Sequence, residues 1–171
     1  VAVIGVGGLG HLAVQIAKAF GAEVIALDLA EEKLAKAREL GADHAFDARA
    51  PETPKAIRAL GGAHVVVVTS AARAAYDLAL KCLRPAGTLS VVGLPPEPLS
   101  FGALQLVGGE FRIVGSAVGT REDLKATLAL AAAGQLHCEH ETQPLEAVNE
   151  VLARLRAGRI TGRMVLTCTC H

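Results

Sequence analysis

The sequence predicts a doubly wound α/β fold: a mostly parallel, six-stranded sheet with helices on both faces, and a helical and strand return segment at its end. Three observations carry this expectation. Short β-branched runs alternate with longer helical stretches, as in consecutive βαβ units. The fourth and fifth runs are rich in Val, which implies burial on both faces of a parallel sheet. The first run leads directly into a glycine-rich turn that opens a helix.

In chain order, strands are expected at Val1 to Ile4, Glu23 to Leu27, His44 to Phe46, His64 to Thr69, Thr88 to Val92 and Arg112 to Ser116. Between them Leu12 to Phe20, Glu31 to Leu40, Pro54 to Leu60 and Arg73 to Leu83 have helical patterning, each closed by a glycine or proline a few residues on. After Gly119 the alternation stops. Two helices, Arg121 to Ala133 and Leu145 to Ala157, precede a last strand at Arg163 to Thr167. Residues 1–133 therefore read as the main domain and 134–171 as a segment returning toward another domain.

Composition narrows the function classes. A chain of 171 residues suits one domain with a substantial core. With 51% hydrophobic and 20% charged residues it is neither a disordered tail nor a disulfide-stapled miniature. Seventeen Lys and Arg balance seventeen Asp and Glu, and one Tyr, four Phe and no Trp leave no basic, aromatic-studded face, so no nucleic-acid partner is expected. No apolar run is long enough to cross a bilayer and no export signal opens the chain, so no membrane partner is expected. Cys82, Cys138, Cys168 and Cys170 lack a secreted-scaffold spacing, which fits reduced thiols in the cytoplasm. The chain begins at Val1 inside a strand-like run with no initiator Met, as a piece of a longer protein would.

The chemistry starts at VAVIGVGGLG, a strand followed by GxGxxG at Gly5, Gly7 and Gly10 and then a helix from about His11. Gly5 permits the tight turn, Gly7 lets the backbone approach a pyrophosphate, and Gly10 lets the helix pack against the strand. Free N–H groups at the helix start then face the phosphates, the arrangement of a Rossmann dinucleotide site. His11, at that helix start, is a candidate for approaching the pyrophosphate or a packing residue. Asp28 closes the second strand eighteen positions beyond Gly10, where a carboxylate accepts hydrogen bonds from the adenosine ribose. A 2′-phosphate would meet that negative charge, and no arginine directly follows Asp28, so NAD is expected over NADP.

These residues resemble a known family. GVGGLGHLAVQIAKAFGAEVIALD, then Lys33, ELGADH, LRPAGTLSVVGLP, IVGSAVGTREDL and AGRITGRMVL are similar to the zinc-dependent, medium-chain alcohol dehydrogenases, from Val1 to about Thr167. Only the tail CTCH is foreign to the pattern. The resemblance implies an NAD(H)-binding domain that positions the nicotinamide for hydride transfer from an alcohol. It implies further cofactor contacts: Gly8 in the glycine loop, Lys33 at the ribose, Thr69 and Ser70 along the adenosine side, and Leu9 behind the nicotinamide ring. Backbone groups of Val92, Gly93, Leu94, Ser116 and Val118 would hold the carboxamide, and Arg163 would reach the pyrophosphate with a bidentate guanidinium. The family's catalytic zinc needs Cys and His ligands with an open fourth position. The resemblance puts those ligands in a catalytic domain preceding Val1, so neither a catalytic residue nor a zinc ligand is expected here. His137, Cys138 and His140, and the terminal Cys168, Cys170 and His171, lack the spacing of a closed zinc site. Leu99 to Val107 resembles the family segment that pairs across a two-fold axis and extends the sheet, which implies a homodimer. Two other readings stay open: a zinc-independent quinone or enoyl reductase domain of the same superfamily, and a non-catalytic NAD-sensing module. A methyltransferase also has a glycine loop and an acidic second-strand end, but has no need of the late Gly162 and Arg163 segment.

Overall fold

In the computed structural model, which describes residues 1–168, the βαβ units follow one another as β1 (Ala2–Ile4), α1 (Gly10–Ala19), β2 (Ile25–Asp28), α2 (Glu31–Glu39), β3 (His44–Asp47), α3 (Thr53–Ala59), β4 (Ala63–Val68), α4 (Arg73–Cys82), β5 (Leu83–Val91), α5 (Ala103–Gly109) and β6 (Arg112–Gly115). Beyond them come α6 (Arg121–Ala132), β7 (His140–Pro144), a 3₁₀ turn at Leu145–Ala147, α7 (Val148–Arg156) and β8 (Arg163–Thr167). Helix ends carry suitable chemistry. α2 opens on Glu31 and Glu32 and closes with Lys36 and Arg38, which complements the partial charges of its ends. Pro54 sits in the first turn of α3, where no N–H is needed. Thr120 and Asp123 cap α6 reciprocally.

Strands β1 to β6 form a six-stranded sheet in the order β3-β2-β1-β4-β5-β6, parallel throughout. The direction of winding reverses between β1 and β4, so the connections leaving their carboxyl ends diverge to opposite faces and leave a crevice there. Successive residues of β1 face opposite layers. Ala2 and Ile4 join Leu27, Val66, Val68, Leu89, Ile57 and Tyr76 in the core under α3 and α4. Val3 joins Val6, Val14, Val24, Ala26 and Ala37 under α1 and α2. Full burial of such Val, Leu and Ile side chains stabilises the fold by about 1.5–3 kcal/mol each.

Two expectations need correction, and one strand has no counterpart among those expected. Burial of β4 and β5 on both faces is not found: Val66 and Val68 are buried, but Val65, Val67, Thr88 and Ser90 on the other face are half-buried. The helices α1 and α2 pack on β1, β2 and β3, and that layer thins over β4 and β5. Leu99 to Val107 is not a sheet-extending edge. It runs irregularly to Gly102, with Leu99 and Phe101 packed on the core, and then turns into α5, where the Leu106 N–H bonds the Gly102 carbonyl. Bonds closed within the turn satisfy the backbone without a neighbouring strand. The sheet edge is β6 instead, with Ile113 and Val114 exposed. Finally, β7 has no signature in the sequence, being polar and mostly exposed, and is a strand only through its parallel pairing with β8. None of the described helices is long and apolar enough to cross a membrane.

Gly10 is the tightest point of the β1–α1 junction: a Cβ there would run into the Gly5 carbonyl. Both groups are backbone, so neither can rotate aside. Gly10→Ala is therefore expected to cost about 3 kcal/mol or more. A lowered urea midpoint checks this, and an unchanged midpoint contradicts it.

Candidate functional site

The turn after β1 is held by both neighbouring strands. From the β2 side, the Gly5 N–H donates to the Leu27 carbonyl at 2.8 Å and the Val6 N–H donates to Asp28 Oδ2 at 2.7 Å. From the β4 side, the Thr69 hydroxyl donates to the Gly5 carbonyl at 2.6 Å. Gly5 itself sits at φ +94°, a conformation that favours glycine. Asp28 is buried, and its Oδ1 also accepts from the N–H groups of Leu29 (2.8 Å) and Ala30 (3.1 Å). One carboxylate thus organises the exits of β1 and β2 together. Among the described residues, the N–H groups of Gly7, Gly8 and Leu9 have no protein acceptor. They are the unsatisfied donors that make a helix start attractive to an anion.

Above this turn opens a cleft of about 640 Å³ at the carboxyl ends of β1, β2 and β4. It gathers most of the residues singled out from the sequence: Gly5, Gly7, Gly8, Leu9, Asp28, Lys33, Thr69, Ser70 and Arg163 all line it. Gly10 lies in the junction behind it. The glycines keep the floor low, since a Cβ at Gly7 would project into open space and one at Gly8 would come within 2.8 Å of the Arg163 guanidinium. The groove that such side chains would fill has unpaired N–H donors on one side and a cation above, an arrangement suited to an anion. Arg163 has no ion pair among the described residues, and neither has Lys33.

The remaining sequence-predicted residues do not line this cleft. Val92 and Gly93 leave β5 bonded to the Val68 carbonyl, at 3.2 and 2.8 Å, and the buried Tyr76 hydroxyl donates to the Gly93 carbonyl. Leu94 is exposed, and Ser116 follows β6, its N–H bonded to the Val91 carbonyl. Val118 is fully exposed at φ +28° and borders a separate depression at the start of α6. Arg49 was not singled out from the sequence. It enters the cleft from the β3–α3 loop, donating to the Leu29 carbonyl at 2.8 Å and pairing with Asp47 at 3.2 Å. Its guanidinium holds the Asp47 carboxyl below the ordinary value. The signal was the register, because β3 pairs with β2 and Asp47 lies beside Asp28.

A family model described as zinc-binding dehydrogenase matches residues 8–133. The chain belongs to that family. An alcohol dehydrogenase of Geobacillus stearothermophilus is 44% identical over 97% of this chain and 50% of its own length. Among solved structures, the alcohol dehydrogenase of the hyperthermophilic archaeon Aeropyrum pernix superposes with a TM-score of 0.91 at 39% identity, covering 96% of this chain and 48% of that one. An acetophenone reductase of Geotrichum candidum, solved in complex with NAD, superposes at 0.89 with 36% identity, over 97% of this chain and 47% of its own. The chain thus spans about half the length of the curated relatives it matches.

For a zinc-binding dehydrogenase, the whereabouts of a metal site matter. No group of three or more His, Cys, Asp or Glu among the described residues could hold a metal ion. His140 Nδ1 donates to the Cys138 carbonyl, and the His137 backbone N–H is committed to Gln15. Cys168 is exposed, while Cys170 and His171 lie outside the described residues. Burial pushes the Cys82 thiol up to about 11, so it stays protonated at neutral pH and is no ligand or nucleophile as it stands.

Proposed function

We propose that the chain is the NAD-binding part of a zinc-type alcohol dehydrogenase, with residues 1–133 as the nucleotide-binding domain and 134–171 as a segment returning toward a catalytic domain. The observation that carries this reading is the cleft at the winding reversal, with free N–H groups on the glycine turn beneath Arg163 and a carboxylate at the end of β2. In it, Gly5, Gly7, Gly8 and Gly10 shape the floor for the pyrophosphate and Arg163 neutralises it. Asp28 and Lys33 hold the ribose hydroxyls, and Thr69 and Ser70 wall the adenosine side. Leu9 backs the nicotinamide, whose carboxamide reaches beyond the cleft lining toward the backbone of Val92, Gly93, Leu94, Ser116 and Val118. The bound dinucleotide supplies the hydride acceptor for oxidation of an alcohol to its aldehyde or ketone, and this chain supplies its orientation. We place the ligands of the family's zinc in the catalytic domain, as the family resemblance implies. We place the protein in a reducing cytoplasm, a reading supported by Cys82, Cys138 and Cys168, which are free thiols among the described residues.

One observation favours the quinone or enoyl reductase reading. Arg49 stands at the ribose end of the cleft and could offset a 2′-phosphate. Against it, Asp47 already pairs with Arg49, and Asp28 presents a carboxylate at the same end. For the assembly, we propose a homodimer formed along the exposed β6 edge rather than through Leu99 to Val107, since an unpaired edge with Ile113 and Val114 exposed invites a second copy. Sedimentation velocity is expected to show a dimer that Val114→Lys splits, and a monomeric parent chain would refute this.

Calorimetric titration tests the cofactor reading on the 171-residue chain. NADH is expected to bind more tightly than NADPH, and Asp28→Ala to narrow the gap. The same substitution strands the Val6 N–H, so stability falls by about 2 kcal/mol as well. Tighter binding of NADPH by the parent chain would favour the reductase reading. With zinc and alcohol added, the chain is expected to bind NAD without reducing it. Turnover abolished by Cys138→Ser would instead move the metal onto this chain.

A further inference from the structure

Two buried polar side chains of α1, His11 and Gln15, lie outside the cleft and face the return segment. Gln15 is used at both ends of its carboxamide. Its Nε2 donates to the carbonyls of His11 (3.0 Å) and His137 (2.9 Å), and its Oε1 accepts from the His137 N–H (2.8 Å). Residue 137 is thereby clamped to α1.

His11 reaches in two directions. Its Nδ1 lies 2.9 Å from the Gly7 carbonyl oxygen and its Nε2 lies 3.2 Å from the Glu139 backbone nitrogen. A carbonyl only accepts and a backbone N–H only donates, so the ring proton belongs on Nδ1 and the lone pair on Nε2. The Glu139 carbonyl accepts in turn from the Arg163 N–H at 2.8 Å, where β7 pairs with β8. The Glu139 carboxylate is paired with Lys36 at 3.3 Å, but that contact ties it to α2 and not to the glycine turn. A continuous path therefore runs from the Gly7 carbonyl through the His11 ring and the Glu139 peptide to Arg163, whose guanidinium comes back over Gly8.

We propose that His11, as its Nδ1–H tautomer, is a positioning residue that holds Arg163 over the glycine turn and so sets affinity for the diphosphate of a dinucleotide. The inference rests on the cleft being a dinucleotide site. An aliphatic side chain at position 11 would leave the Glu139 N–H without an acceptor and loosen the segment that seats Arg163, with the Gln15 clamp and the β7–β8 pairing still in place. Ligands with a diphosphate would feel the change most, because adenosine carries no anionic group for Arg163 to neutralise.

The test uses the full 171-residue chain, with ADP-ribose titrated by calorimetry and adenosine by NMR chemical shift. In His11→Asn the amide nitrogen replaces Nδ1 and nothing replaces Nε2, whereas in His11→Gln the amide oxygen reaches the Nε2 position. His11→Asn is expected to weaken ADP-ribose by about tenfold and adenosine by less than about twofold, and His11→Gln to restore most of the ADP-ribose affinity. A parent chain that binds no ADP-ribose would remove the dinucleotide reading and this inference with it. A parent chain that binds, with His11→Asn unchanged or weakened equally toward both ligands, would overturn the inference alone. Nitrogen-15 NMR of the parent chain supplies an arm that needs no variant: a protonated Nδ1 and bare Nε2 on His11 are expected, and the opposite tautomer would overturn the proposal.

Discussion

Helix α1 begins so close behind the Gly5 carbonyl that no side chain fits at Gly10, and the turn between β1 and α1 takes its shape from that approach. With the helix pressed against the strand end, the Gly5 carbonyl is engaged by Thr69, and the N–H groups of Gly7, Gly8 and Leu9 have no acceptor among the described residues. Three unpaired donors at a helix start, next to its positive end, form a site for an anion before any side chain is considered. The sheet topology decides where that site lies, because only at the winding reversal between β1 and β4 do the flanking connections part and leave room above it.

The stabilising and recognising roles in this cleft are not separable by residue. Asp28 bonds three backbone N–H groups across two loops, so the carboxylate proposed to face the ribose is also the staple that keeps β1 and β2 exits in register. Thr69 is similar: it lines the cleft, yet its hydroxyl proton is directed at the Gly5 carbonyl. A substitution at either position changes the loop as well as the cleft lining. Lys33 and Arg163 have no such double duty among the described residues, where neither forms an ion pair.

The legible part of the fold was the part with strong local signals. β1 to β4, β6 and α1 to α4 lie within about two residues of where strand runs and helical patterns place them, because apolar periodicity reports directly which face is buried, whereas β5 begins at Leu83, ahead of the Thr88 to Val92 expected for it. α5 was not legible: Ala103 to Gly109 carries exposed Leu104 and Val107, an apolar content that suits a strand or a helix equally. β7 was not legible because His140 to Pro144 buries almost nothing, and its extended form comes from β8. The half-burial of Val65 and Val67 depends on how far the α1 and α2 layer extends, which no local pattern encodes.

By itself the sequence determined the order of the βαβ units, the glycine turn and the acidic end of β2, since each rests on the conformational freedom or chemistry of residues close together in the chain. Tertiary structure alone decided three things. It brought Arg49 to the same cleft as Asp28 through strand pairing, and it made β6 rather than Leu99 to Val107 the open edge. It also seated Arg163 over Gly8 through the contacts of His11 and Gln15 with residues 137 to 139. Those contacts join residues more than a hundred positions apart. A buried histidine and glutamine look like ordinary helix residues until the chain returns and presents the peptide groups that they must satisfy.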